Sequence, residues 1–236
     1  MSGHSKWKKI KHQKGAEDVK KSKIFSKIAR VIILTTKEGG GDPVTNPKLR
    51  FVIETAKKAN LPLENIERAI KKGTGELIGG KLEPILVEAY GPGGVAVLIE
   101  GITDNKNRAL AEIKQVLNQN CGKLASGGSV KWLFQIKGVI TIEAPKNKEG
   151  LEMTIIEAGA EDIQWKDNTL NVYAKPEELE KVKKNLESKG IEIESVSLDW
   201  VAKNLVSIKE KEACQKLFEA LDESESVQEI YSNLKD

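Results

Sequence analysis

The sequence predicts an α+β multidomain protein: an N-terminal helical domain, then an α+β second domain into which a ferredoxin-like third domain is inserted. Three observations carry this. Apolar residues recur at helical spacing from Phe25 to Ile70, and from Glu83 the period changes to two. Residues 137–200 then read strand, helix, strand, strand, helix, strand, the βαββαβ order of a ferredoxin-like unit. A chain of 236 residues also favours more than one domain. The boundaries read as 1–78 for a basic helical domain with an N-terminal arm, 79–134 together with 204–236 for the α+β domain, and 135–203 for the inserted one.

The N-terminal run is strongly basic. Between Met1 and Arg30 ten Lys and Arg stand against Glu17 and Asp18 alone. Residues 1 to 75 hold 18 basic and 7 acidic side chains, a net of +11, and the remaining 161 hold 20 and 28, a net of −8. Nucleic-acid binding is therefore expected of the N-terminal part. Met1 to Lys14 shows no helical or strand period and reads as a mobile arm. Lys6, Lys8, Lys9, Lys11 and Lys14 would meet phosphates while Trp7 stacks on a base. Alternatively, Trp7 and Ile10 pin the arm to the helices.

The helix that follows has Phe25, Ile28, Ala29 and Ile32 on one face and Lys20, Lys23, Lys27 and Arg30 on the other. One face is expected to pack and the other to stay free for phosphates. Gly39, Gly40 and Gly41 stop this helix, and Asp42-Pro43 and Asn46-Pro47 mark the turn and the next start. A second helix carries Leu49, Val52, Ile53 and Ala56. A third, from Pro62, carries Leu63, Ile66 and Ile70 and is expected to end at Gly73, with Gly73 to Gly80 as linker.

From Glu83, Ile85, Val87 and Ala89 alternate inward, as do Val95, Val97 and Ile99 after the Gly91-Pro92-Gly93-Gly94 turn: a hairpin. Thr103-Asp104 offers an N-cap for a helix with Leu110, Ile113, Val116 and Leu117, and a strand is expected through Val130, Trp132 and Phe134. The inserted unit reads as VITIE, a helix around Leu151, Ile155 and Ala158, DIQW, TLNVY, a helix from Pro176 with Leu179, Val182 and Leu186, and IEIESV. Its third strand lacks the basic-Gly-aromatic signature of an RNA-recognition module. A helix on Cys214, Leu217 and Leu221 and a short strand from Val227 to Tyr231 complete the domain begun at Glu83.

No stretch reaches the 18 to 20 or so apolar residues that span a bilayer, and lysines stand where a signal peptide is apolar, so a cytoplasmic protein without a membrane partner is expected. Cys121, Cys214, His4 and His12 make no metal-ligand spacing, and Cys121, past a helix end, suits a small apolar role. The glycine triplet lacks the strand and Lys-Ser/Thr of a P-loop. No nucleophile with a base, paired carboxylates, cofactor motif or small-molecule site is legible, and the chain reads as a non-enzyme. Asp104, Asn105, Asn107 and Arg108 form a polar cluster at a helix start: a second anion site, or simply a cap and turn.

Six stretches, GHSKWKKIKHQKGAEDVKKSKIFSK, GGGDPVTNPKLR, NIERAIKKGTGE, YGPGGVAV, TDNKNR and SGGSVKWLF, closely resemble the YebC/PmpR family, which includes the mitochondrial translational activator of cytochrome c oxidase subunit 1. They span residues 1 to about 134, and a looser resemblance runs on to the end. It implies three domains, with the third inserted in the second, and no enzyme active site. It implies either a DNA-binding transcriptional regulator or a translation factor that binds ribosomal RNA or tRNA and relieves stalling at the ribosome. A protein-interaction adaptor, resting on the acidic remainder, is a third class.

Overall fold

Residues 18–78, 80–143, 150–166 and 169–235 are described by the computed structural model. Two compact units are present: Met1–Leu133 with Ala202–Asp236, and Phe134–Val201. Helices α1 (Asp18–Gly39), α2 (Pro47–Lys58) and α3 (Leu63–Thr74) open the first unit. Ile28 and Ile32 are buried, as their spacing predicts, against Leu49, Ala56, Leu61 and Ile66.

One buried side chain links the first two helices. The Asn46 amide donates to the carbonyls of Thr35 (3.1 Å) and Gly40 (2.9 Å), and its oxygen accepts the N–H of Leu49 (3.1 Å). It therefore closes α1 and caps α2 at once. Past α2, Asn60 takes φ 60°, its N–H bonds the Lys57 carbonyl and the Leu61 N–H bonds the Ala56 carbonyl, a Schellman turn. That turn drives Leu61 into the core. Leu63, expected there, is 61% exposed instead.

Gly73 does not stop α3, which continues to Thr74 before Gly75 turns at φ 86°. A Cβ at Gly73 would lie 2.5 Å from the Thr36 Cβ and 2.8 Å from the Ile33 carbonyl, so the glycine is there to let α3 lie against α1.

Strands β1 (Glu83–Tyr90) and β2 (Ala96–Thr103) form the expected hairpin, Glu83 opposite Thr103 and Tyr90 opposite Ala96. Helix α4 (Lys106–Gln119) and strand β3 (Lys123–Leu124), which pairs with β1, follow. The cap of α4 is Asn105 rather than Thr103-Asp104. Its side chain accepts the Arg108 N–H at 3.0 Å, while the Thr103 hydroxyl accepts its own N–H at 3.1 Å. Cys121 is exposed at φ 57°, against expectation, and Cys214 is the thiol that fills a core.

The strand expected through Val130 and Trp132 begins only at Phe134, because the Glu88 carboxylate accepts the N–H groups of Gly128 (2.6 Å), Val130 (2.6 Å) and Lys131 (2.8 Å). Those donors are taken from any ladder, and Lys131–Leu133 form a single 3₁₀ turn. Burial opposes ionisation of Glu88, but the three N–H groups and the charge of Lys131 outweigh it and hold the carboxyl below its usual range.

The second unit runs β4 (Phe134–Glu143), α5 (Leu151–Glu157), β5 (Asp162–Lys166), β6 (Thr169–Ala174), α6 (Leu179–Ser188) and β7 (Ser195–Ala202). Its sheet is ordered β5-β6-β4-β7, the first strand between the third and the fourth, which is the split βαβ arrangement. Ile140, Ile142, Leu170 and Val172 pack on Ile155, Val182 and Leu186. The last strand starts later than IEIESV predicts, because Gly190 at φ 76° and the Ile191 N–H to the Leu186 carbonyl close α6 in a second Schellman turn. Asn171 and Tyr173, on the other face of β6, are buried, so this strand offers no exposed stacking surface.

The chain then returns through α7 (Lys211–Asp222) to β8 (Val227–Ser232), which pairs antiparallel with β2 and completes the order β3-β1-β2-β8. Val87, Val97, Ile99, Ile113, Leu117, Cys214, Leu217 and Leu221 share this core. The molecule is thus mixed α and β, with two antiparallel sheets. Among the described residues no helix is long and apolar enough to cross a membrane.

Two predictions follow from these local constraints. Gly73→Ala should lower stability by about 1–3 kcal/mol in urea unfolding, whereas Gly127→Ala, where an added Cβ meets nothing within 4 Å, should be nearly neutral. A folded-state pKa depressed at Glu88 contributes stability above the ordinary glutamate value and loses it as pH falls. Exchange protection of the Gly128, Val130 and Lys131 amides should therefore fade below pH of about 4.3, and Glu88→Gln should abolish that pH dependence.

Candidate nucleic-acid interface

Lys6, Trp7, Lys8, Lys9, Lys11 and Lys14 lie outside the described residues, as does the side chain of Lys20. Lys23, Lys27 and Arg30 line one side of α1, but that side is not free. It is laid against the turn from Asp222 to Glu225, which joins α7 to β8. Lys23 pairs with the Glu223 carboxylate. Lys27, only 2% exposed, donates at 2.7 Å to the carbonyl of Asp222, the last residue of α7, at the negative end of the helix dipole. Arg30 donates to the carbonyls of Glu225 (2.8 Å) and Ile102 (3.3 Å) and meets the Glu225 carboxylate at 3.0 Å.

This corrects the expectation of a phosphate-facing stripe. Helical spacing shows which way these cations point, but their partners stand about 195–200 residues further along the chain.

The second candidate cluster is already satisfied internally. The Asn105 oxygen holds the Arg108 N–H at the first turn of α4, and the Arg108 guanidinium meets Asp104 at 2.6 Å and Glu112 at 3.9 Å. Asn107 is exposed beside them. A cap with a paired arginine accounts for the group.

Exposed cations remain on the other helices. The last turns of α2 and α3 carry Lys57 with Lys58 and Lys71 with Lys72, and Lys48, Arg50 and Arg68 are exposed as well. None of these is among the site residues expected from the sequence. They were counted in the net charge of +11, but they form no stripe.

Comparison with known proteins places this architecture. Residues 5–76 match the TACO1/YebC protein N-terminal domain, and residues 82–234 match the TACO1/YebC second and third domain. The chain belongs to the TACO1/YebC family. Relatives within it include a protein of Halothermothrix orenii, 46% identical over 99% of this chain and 94% of its own length, and one of Thermotoga maritima, 48% identical over 100% and 94%. Both are named "Probable transcriptional regulatory protein". The crystal structure of the conserved hypothetical protein Aq1575 from Aquifex aeolicus is similar over 96% of this chain and 95% of that one, with a TM-score of 0.87 and 45% identity. The TACO1/YebC match spans the basic helices and the acidic turn that meets them.

Within this seam the arginine carries more than its ion pair. Arg30→Ala, which strips two carbonyls of a charged donor, should cost about 2 kcal/mol. Glu225→Ala, which removes one well-exposed carboxylate, should cost under about 1 kcal/mol. Urea unfolding of the two single variants and the double variant measures both, and equal costs would reduce the Arg30 contact to a surface pair.

Proposed function

We propose that this protein is a non-enzymatic, nucleic-acid-binding regulator of gene expression that works in the cytoplasm as a DNA-binding transcriptional regulator, with the ferredoxin-like third domain inserted in the second. The names of its TACO1/YebC relatives support a regulatory role. The observation that carries the nucleic-acid reading is the division of charge, +11 over residues 1–75 against −8 over the rest. With Lys23, Lys27 and Arg30 committed to the acidic turn, the phosphate contacts fall to the arm and to the exposed cations of α2 and α3.

Counterion release makes this measurable. Changing Lys6, Lys8, Lys9, Lys11 and Lys14 together to Gln should flatten the log–log dependence of affinity on salt by about 4.5 on duplex DNA and about 3.5 on a single strand. The fold should be intact by circular dichroism. An unchanged slope would remove the arm from the interface. Equal affinity for specific and scrambled duplexes at physiological salt would overturn operator recognition.

A translation factor that binds ribosomal RNA or tRNA is the second reading, favoured by one aromatic set among the lysines of the arm, which suits irregular RNA at least as well as a duplex. Sedimentation of cell extract at low salt separates the two. Co-migration with ribosomes supports this reading, and protein confined to the top of the gradient removes it.

A further inference from the structure

We propose that Trp132 is a stacking platform for an unpaired base of single-stranded nucleic acid, a second contact point apart from the N-terminal arm. The inference rests on the nucleic-acid reading above and specifies the form of the ligand. Trp132 is 64% exposed and is the one aromatic among the large apolar side chains left exposed in the described residues. Single exposed apolar side chains are ordinary on protein surfaces, so exposure alone carries nothing. What sets this indole apart is how firmly it is held and what charge surrounds it.

The loop beneath it is built around the Glu88 carboxylate, which takes the N–H groups of Gly128, Val130 and Lys131. The indole N–H donates at 2.9 Å to the Ser129 carbonyl, and the Tyr90 hydroxyl of β1 donates to the same oxygen at 3.2 Å. That shared acceptor ties the ring to the sheet. The polar edge of the indole is satisfied inside the loop, and recognition is left to the π-surface.

The surrounding charge is basic. The Lys203 ammonium donates at 2.8 Å to the carbonyl of Trp132 itself. Lys131 is the preceding residue, and its charge also steadies Glu88. The Lys123 ammonium lies 5.7 Å from the centroid of the Tyr90 ring, whose hydroxyl shares the carbonyl that holds the indole. An aromatic face set rigidly among cations fits a base with its flanking phosphates, and every base has a π-face, so the contact does not depend on sequence. Bases in a duplex are stacked on each other, so the platform selects unpaired strands.

The test uses the full chain and a fluorophore-labelled single-stranded RNA of about 12 nucleotides, within the range of such sites, beside the duplex of the same sequence. Trp132→Leu should weaken single-strand binding about fivefold to a hundredfold, the effect of losing one stacked base, and leave duplex affinity unchanged. Trp132→Phe should keep most of the affinity. The single strand should also quench less tryptophan emission in Trp132→Phe than in wild type, a readout that survives if the leucine variant fails to fold. Full single-strand affinity in folded Trp132→Leu, equal losses on strand and duplex, or equal quenching in the phenylalanine variant would each overturn the platform while leaving the nucleic-acid reading in place. Failure of wild type to bind either oligonucleotide would overturn both.

Discussion

A lysine ammonium that is removed from water must be met by acceptors, and the first unit is organised around one such group. Lys27 is buried on α1 and finds its acceptor at the carboxyl end of α7. Leaving that charge unmet would be strongly unfavourable, so the helical part and the sheet part close on each other around it. Arg30 extends the seam to β2 through the Ile102 carbonyl, and the Ile102 N–H in turn holds the Ser226 carbonyl at 2.9 Å. Gly101 makes that approach feasible, since a Cβ there would stand 2.5 Å from the Ser226 carbonyl oxygen. Three segments distant in sequence thus converge on one polar seam.

The seam changes what the basic charge is for. A lysine and arginine row on a helix meets a polyanion and an acidic turn by the same chemistry, and Asp222-Glu223-Ser224-Glu225 supplies the turn within the chain itself. Glu88 repeats the theme on a smaller scale: its carboxylate occupies a concavity of backbone N–H groups of the kind that elsewhere binds external anions. In both places an internal acid satisfies donors that would otherwise recruit a ligand. Among the described residues, the cations of α2 and α3 and the indole held above the Glu88 loop are exposed.

Much of the architecture is legible in the sequence because it rests on neighbours three, four or two residues apart. The apolar face of α1, the hairpin register around Gly91 to Gly94, the order of elements in the second unit and the split of charge between the two parts of the chain are all of this kind. The match to the TACO1/YebC domains covers these stretches. Only the tertiary structure decided the rest. Whether Lys27 faced water or a helix end depended on residues about 195 positions away. Whether Gly73 ended a helix or admitted another depended on Thr36, and whether Val130 joined a strand depended on a carboxylate on β1. Periodicity gives each side chain a direction, but what stands in that direction is set by contacts that no local pattern encodes.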